Sequence, residues 1–285
     1  MEHNTPLSTH FKDKHIWFDI AVLAGFFVIA HFFPLLKIVP LVGSLELFSF
    51  FAFHLLSKRS RFQLQGFLGG FISSTAVFLQ TLNESKFSLA NERELLLTLF
   101  FAVCAMLLEC LFIIYFLSDD TSIVFYLPFA IQLGCMGIAI LYVSYSPKFA
   151  KLAPSTVPAD IELLNDHPII WKNVAKFSAL ILVLVAAMNF IGNELGLSQG
   201  ISTFIVSLFE AHAILASVMT QWGMQAQGAD LMTLLFIILL GSTVSKSYLA
   251  YNGRNLAKKS LFIATMFISL LISLTLTAAF FSAYQ

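Results

Sequence analysis

The sequence predicts an all-α protein, a polytopic transmembrane helical bundle of eight or nine spans. Three observations carry that expectation. Of 285 residues, 58% are hydrophobic and only 11% charged, against roughly 25% charged in an average soluble domain. Mean hydropathy is +0.85 and 31 residues are phenylalanine. Apolar runs of about 20 residues, the length a helix needs to cross hydrocarbon, recur along the chain with polar connections between them.

These runs fall at 16–36, 38–56, 64–83, 93–118, 122–146, 172–193, 201–221, 229–251 and 258–283. They are too long for barrel strands and lack strict alternation, so their backbone groups must be satisfied within helices. The first run follows the polar stretch MEHNTPLSTHFKDK and has no small-residue cleavage pattern, so it reads as a retained span. The second contains Pro40 and Glu46, which leaves it either a crossing or an interfacial or re-entrant segment. Between the fifth and sixth runs lies a proline-bearing linker of mixed charge, 147–171. It separates an N-terminal half, 1–146, from a C-terminal half, 172–285. Lys58, Arg59 and Arg61 cluster in one loop and Arg254, Lys258 and Lys259 in another. An even number of spans separates the two loops, and the positive-inside rule makes both cytoplasmic.

Composition also excludes function classes. Sixteen basic residues balance sixteen acidic ones, so nucleic-acid binding has no electrostatic footing. Cys104, Cys110 and Cys135 sit inside apolar runs without metal-type spacing and read as small core or lipid-facing residues, with no disulfide framework. No metalloprotease, nucleophile-elbow or phosphate-cradling motif is present, so neither an enzyme nor a cofactor is expected.

Sliding the chain against itself by 137 residues brings GGFISSTAVFLQTL (69–82) over the stretch ending FEAHAILASVM (209–219). Ala76 then falls on Ala213, Ser73 on Glu210, and Glu109, the charge deep in the fourth run, on Lys246 in the eighth. The related runs are third and seventh, an even number of crossings apart, so the repeat is expected to be parallel, one leading helix plus four plus four.

The stretch GFLGGFISSTAVFLQTL resembles the glycine-rich helix of a bacterial membrane domain of unknown function usually found C-terminal to MgtC/SapB domains. The second half agrees in outline: the loop GNELGLSQG, a helix beginning at an acidic motif, then STVSK (242–246) followed by YLAYNGR. The family's acidic motif is Asp-x-Asp-Ala, whereas this chain has Glu210, Ala211, His212 and Ala213; where the family suggests an Arg in the fourth span, this chain has Glu109. The resemblance implies a multi-pass protein of the bacterial inner membrane connected with cation homeostasis or transport. It implies no substrate, and a homo-oligomer is compatible with it.

Charged side chains in hydrocarbon cost at least ~2.5–3.5 kcal/mol each on insertion scales, so they face the protein interior and mark function or pairing. Glu46, Glu109, Glu210 and Lys246 are such residues, with His31 and His212 beside them. Pseudo-symmetry makes Glu109 and Lys246 natural partners for a buried ion pair, either structural or part of a transport path. Glu210 and His212 lie two apart, about 200° around an ideal helix, so they converge only if the helix unwinds there. Gly66, Gly69, Gly70, Ser73, Ser74 and Thr75 form a small-residue face for close packing, expected against 201–221, or a hydroxyl-lined cation site opposite Glu210. The substrate or ion path is therefore expected at Glu210, His212, Ser73, Ser74 and Thr75. A transporter or channel for a cation or small solute is the leading expectation. A regulatory or scaffold protein whose buried charges serve only assembly is the alternative.

Overall fold

The computed structural model describes residues 14–32, 61–83, 92–117, 123–150, 199–222 and 228–284, with isolated positions between 39 and 47 and between 171 and 190. Every described element is a helix. They are α1 (Lys14–Phe32), α2 (Arg61–Asn83), α3 (Glu92–Leu117), α4 (Leu127–Tyr145), the short α5 (Pro147–Ala150), α6 (Gln199–Ser207), α7 (Ala211–Trp222), α8 (Gly228–Asn252) and α9 (Lys259–Tyr284). A 3-10 turn, Ile123–Phe125, leads into α4. Most of the expected segments 38–56 and 172–193 and of the 147–171 linker, Glu46 included, lies outside the described residues, as does the side chain of His31.

Four described helices are long and apolar enough to cross a bilayer: Glu92–Leu117, Leu127–Tyr145, Asp230–Asn252 and Lys259–Ser282. That marks the chain as a membrane protein. Helices α3 and α8 are buried along most of their length and form the middle of the bundle, whereas most residues of α4 and α9 are half-buried or exposed. The outer pair shows large apolar side chains such as Ile138, Leu141, Ile268 and Leu271 on its open faces. With lipid as the surrounding solvent, such a surface needs no protein cover.

Local chemistry explains the helix ends. Glu92 and Glu94 occupy the first turn of α3, where the helix dipole favours negative charge. Pro128 stands at the start of α4, where its missing N–H costs nothing. The polypeptide after α8 turns back onto the end of α2: the Arg254 and Asn255 N–H groups both donate to the Leu82 carbonyl, at 3.0 and 3.1 Å, and Asn255 Nδ2 donates to Thr81 O at 3.1 Å. Carbonyls left open at a helix C-terminus are thereby satisfied. Glu92 in turn accepts the N–H groups of Ala257 and Lys258, at 3.0 and 2.5 Å, just before α9 begins.

The glycine face of α2 lies on α3, its neighbour in sequence. A Cβ at Gly66 would collide with the Thr98 carbonyl, and one at Gly70 would stand 2.7 Å from Ala102 O. Close approach of these two backbones requires glycine, as small-residue interfaces in membranes do. This corrects the expected partner of that face: the glycines do not lie against 201–221. A second close approach joins α8 to α6, where a Cβ on Gly241 would meet Ser207 Oγ.

Candidate functional site at two helix breaks

Two apolar stretches are interrupted, one of them at Glu210, where convergence with His212 requires the helix to unwind. In α2, Ser73 has extended backbone (φ −164°, ψ 109°), and its Oγ accepts the N–H of Ala76 at 3.2 Å. Ser73 thus caps a second half-helix that starts at Ser74, the reach of an N-cap residue to its third successor. The 201–221 stretch is divided into α6 and α7 by Leu208–Glu210. There the hydrogen bonding tightens, Phe209 N–H reaching Val206 O at 3.0 Å and Glu210 N–H reaching the same carbonyl at 3.3 Å. Glu210 immediately precedes α7.

The breaks meet. Thr75 Oγ1, in the first turn of the second half-helix, lies 3.0 Å from Glu210 Oε2 and 2.9 Å from the Phe209 carbonyl. Its single proton serves one acceptor at a time, and its lone pair accepts from Lys246 Nζ at 3.3 Å. Unwinding at 208–210 removes the 200° separation that an unbroken helix would impose. His212 Nε2 accordingly stands 3.8 Å from Glu210 Oε1, while its Nδ1 faces Glu109 Oε2 on α3 at 3.6 Å. Glu109, Glu210, His212 and Lys246 are all buried, the ammonium completely.

The structure therefore gathers Thr75, Glu109, Glu210, His212 and Lys246 into one chain of polar contacts. Ser73 serves the backbone as a cap. Ser74 is fully buried at the start of the half-helix, its Oγ without a hydrogen-bond partner. Glu109 and Lys246 are not paired with each other: Glu109 stands opposite His212, and Lys246 reaches Glu210 only through the Thr75 hydroxyl. Alignment at the 137-residue offset does not bring two side chains within reach, and His212 fills the place beside Glu109.

The cluster is incompletely satisfied. Glu109 Oε2, Glu210 Oε1 and His212 Nδ1 have no hydrogen-bond partner among the described residues. An unsatisfied buried polar atom costs about 1–3 kcal/mol, and more when charged. Thr243, one turn before Lys246 on the same face of α8, and Ser247, next to Lys246 in sequence, also bury unpartnered hydroxyls. Sequence reasoning missed both, because a hydroxyl in an apolar run carries no signal until its neighbours are known. Asp19 was missed as well. It is buried on α1 and accepts the Trp171 indole N–H at 2.9 Å, tying the leading helix to the last residue of the linker.

Neither a curated protein nor a solved structure matches the chain. A family described as a domain of unknown function, DUF4010, matches residues 41–253, a span that contains both helix breaks and every residue of the cluster. The chain belongs to the DUF4010 family.

Proposed function

We propose that this protein is a multi-pass transporter or channel of the bacterial inner membrane, carrying an ion or small solute through the crossing of the two broken helices. The observation that supports this reading is the meeting of Thr75 with Phe209 and Glu210, where both helices are interrupted and buried carboxylate oxygens lack partners. Interrupted helices bring backbone groups and helix termini to a midplane site in many transporters. A role confined to packing would favour continuous helices and apolar contacts.

The parallel repeat belongs to the same reading, with eight or nine spans arranged as one plus four plus four. The breaks sit at Ser73 and Glu210, positions equivalent at the 137-residue offset. The packing follows the same rule: α2 lies on α3 as α6 lies on α8, α3 on α4 as α8 on α9, and α7 on α3 as α2 on α8. The connection with cation homeostasis, implied by resemblance to domains that accompany MgtC/SapB, fits an acidic crossing. The second reading, a scaffold or regulator, draws on the ties the cluster makes among α2, α3, α7 and α8.

Water access separates the two. In a variant with Cys104, Cys110 and Cys135 replaced by Ala, Ser74→Cys should react with a membrane-impermeant cationic thiol reagent added to sealed vesicles. Complete protection from either side of the membrane, in a folded protein, would favour the scaffold.

A further inference from the structure

The two nitrogens of His212 face different carboxylates, Nδ1 toward Glu109 at 3.6 Å and Nε2 toward Glu210 at 3.8 Å. A neutral imidazole has one N–H and can donate to only one of them, whereas imidazolium has two donors, one for each. The other ionisable groups around the ring are few. Helix α3 supplies Glu109 and the Cys110 thiol, the break before α7 supplies Glu210, and α8 supplies Lys246. From α2 comes only the neutral hydroxyl of Thr75, bonded to Glu210 and Lys246. Helices α4 and α6 carry no charged residue, and the one charge on α9 is Lys259 at its first position.

With the imidazole neutral and both carboxylates ionised, two negative charges stand against one ammonium, so the cluster lacks one positive charge. Lys246 cannot supply it twice, and its Nζ is engaged by Thr75. A buried uncompensated charge is expensive, as is an excess of one, so one further positive charge completes the site in that state. Unpartnered Glu109 Oε2 and Glu210 Oε1, one on each side of the imidazole, offer that charge oxygen ligands. Among the described residues no three His, Cys, Asp or Glu side chains gather at metal-ligating spacing.

We propose that the missing charge is supplied alternately by a proton on His212 and by a monovalent cation held at Glu109 and Glu210, so that the protein exchanges one monovalent cation for one proton. This rests on the reading of the crossing as a transport site. When the cation arrives, the proton leaves His212 for water and the imidazole becomes neutral. When the proton returns, the imidazolium donates to both carboxylates and the cation is released. Total charge in the site is the same in both states.

The test uses the purified full-length protein in detergent, weakly buffered, titrated with NaCl or KCl against N-methyl-D-glucamine chloride at equal ionic strength, with a pH dye as readout. About one proton should be released per Na+ or K+ bound. Apparent affinity should weaken about tenfold per pH unit on the acid side, as reciprocal linkage requires. His212→Gln should still bind the ion, without proton release and without pH dependence. If that variant fails to fold, the proton count on the unmutated protein decides alone. Binding without proton release, or unchanged pH dependence in folded His212→Gln, overturns the proposal and leaves the transport reading standing. Failure of both ions to bind also overturns it, and Glu210-dependent flux of another solute in vesicles would then show that the transport reading survives.

Discussion

Thr75 and Glu210, 135 residues apart in sequence, meet through one hydroxyl at 3.0 Å, and the same oxygen accepts from Lys246 at 3.3 Å. A neutral side chain thus stands between a buried carboxylate and a buried ammonium. Both charges depend on it, since direct contact between them is not made.

Replacement of Thr75 by Val keeps shape and removes the hydroxyl. Lys246 then loses its acceptor and Glu210 Oε2 its donor, at a cost of about 2–4 kcal/mol for two buried charged partners. Thermal unfolding in detergent should show a marked loss for Thr75→Val and little for Thr75→Ser. In combination with Lys246→Met the losses should be non-additive, because the two changes remove parts of one network. Additive losses would mean that the hydroxyl does not couple these groups.

Close approach of α2 and α3 makes a second expectation. A methyl group at Gly70 would press on the Ala102 backbone and on Ala105 Cβ, at 2.7–2.9 Å, and a backbone contact cannot be relieved by rotating a side chain. Gly70→Ala should therefore destabilise by about 1–3 kcal/mol, as overpacking does. Gly134 on α4 has open space around the same atom, so Gly134→Ala should be neutral or stabilising by up to ~1 kcal/mol through helix propensity. Equal effects at the two positions, read from paired melting curves, would contradict the close contact.

At one end of the bundle, Glu92 holds the start of α9 through the Ala257 and Lys258 N–H groups. Its carboxylate is partly exposed, so Glu92→Ala should cost only about 1–2 kcal/mol. The local signature is sharper than the global one: hydrogen exchange at 256–262 should accelerate while exchange in the middle of α3 stays slow. Uniform acceleration along both helices would rule out a local clamp.

Much of this was legible in the sequence, and the reasons for the remainder are physical. Apolar length fixed the positions of α3, α4, α8 and α9 to within two residues at most ends, because hydrocarbon thickness sets the length of a spanning helix. The 137-residue offset aligned Ser73 with Glu210 without revealing that the chain breaks at either. Neither break carries a glycine or proline at its centre. Ser73 instead opens the helix by capping the next one with its own hydroxyl, an option equally open to many serines that stay helical. The pairing of Glu109 was misjudged because periodicity reports depth and face, whereas partner choice depends on which helix comes nearest. Here that helix is α7, and it brings His212.

The central claim is that the crossing of α2 with the α6–α7 break carries solute and that Glu210 is indispensable to it. It is tested most directly by flux in reconstituted vesicles under imposed Na+, K+ and pH gradients, comparing the unmutated protein with Glu210→Gln. Glutamine keeps the side-chain shape and removes the cost of a buried charge, so the variant should fold and insert normally. Gradient-driven flux in the unmutated protein that disappears in well-folded Glu210→Gln is the expected result. Undiminished flux in that variant, or no flux from the unmutated protein under any of these gradients, would contradict it.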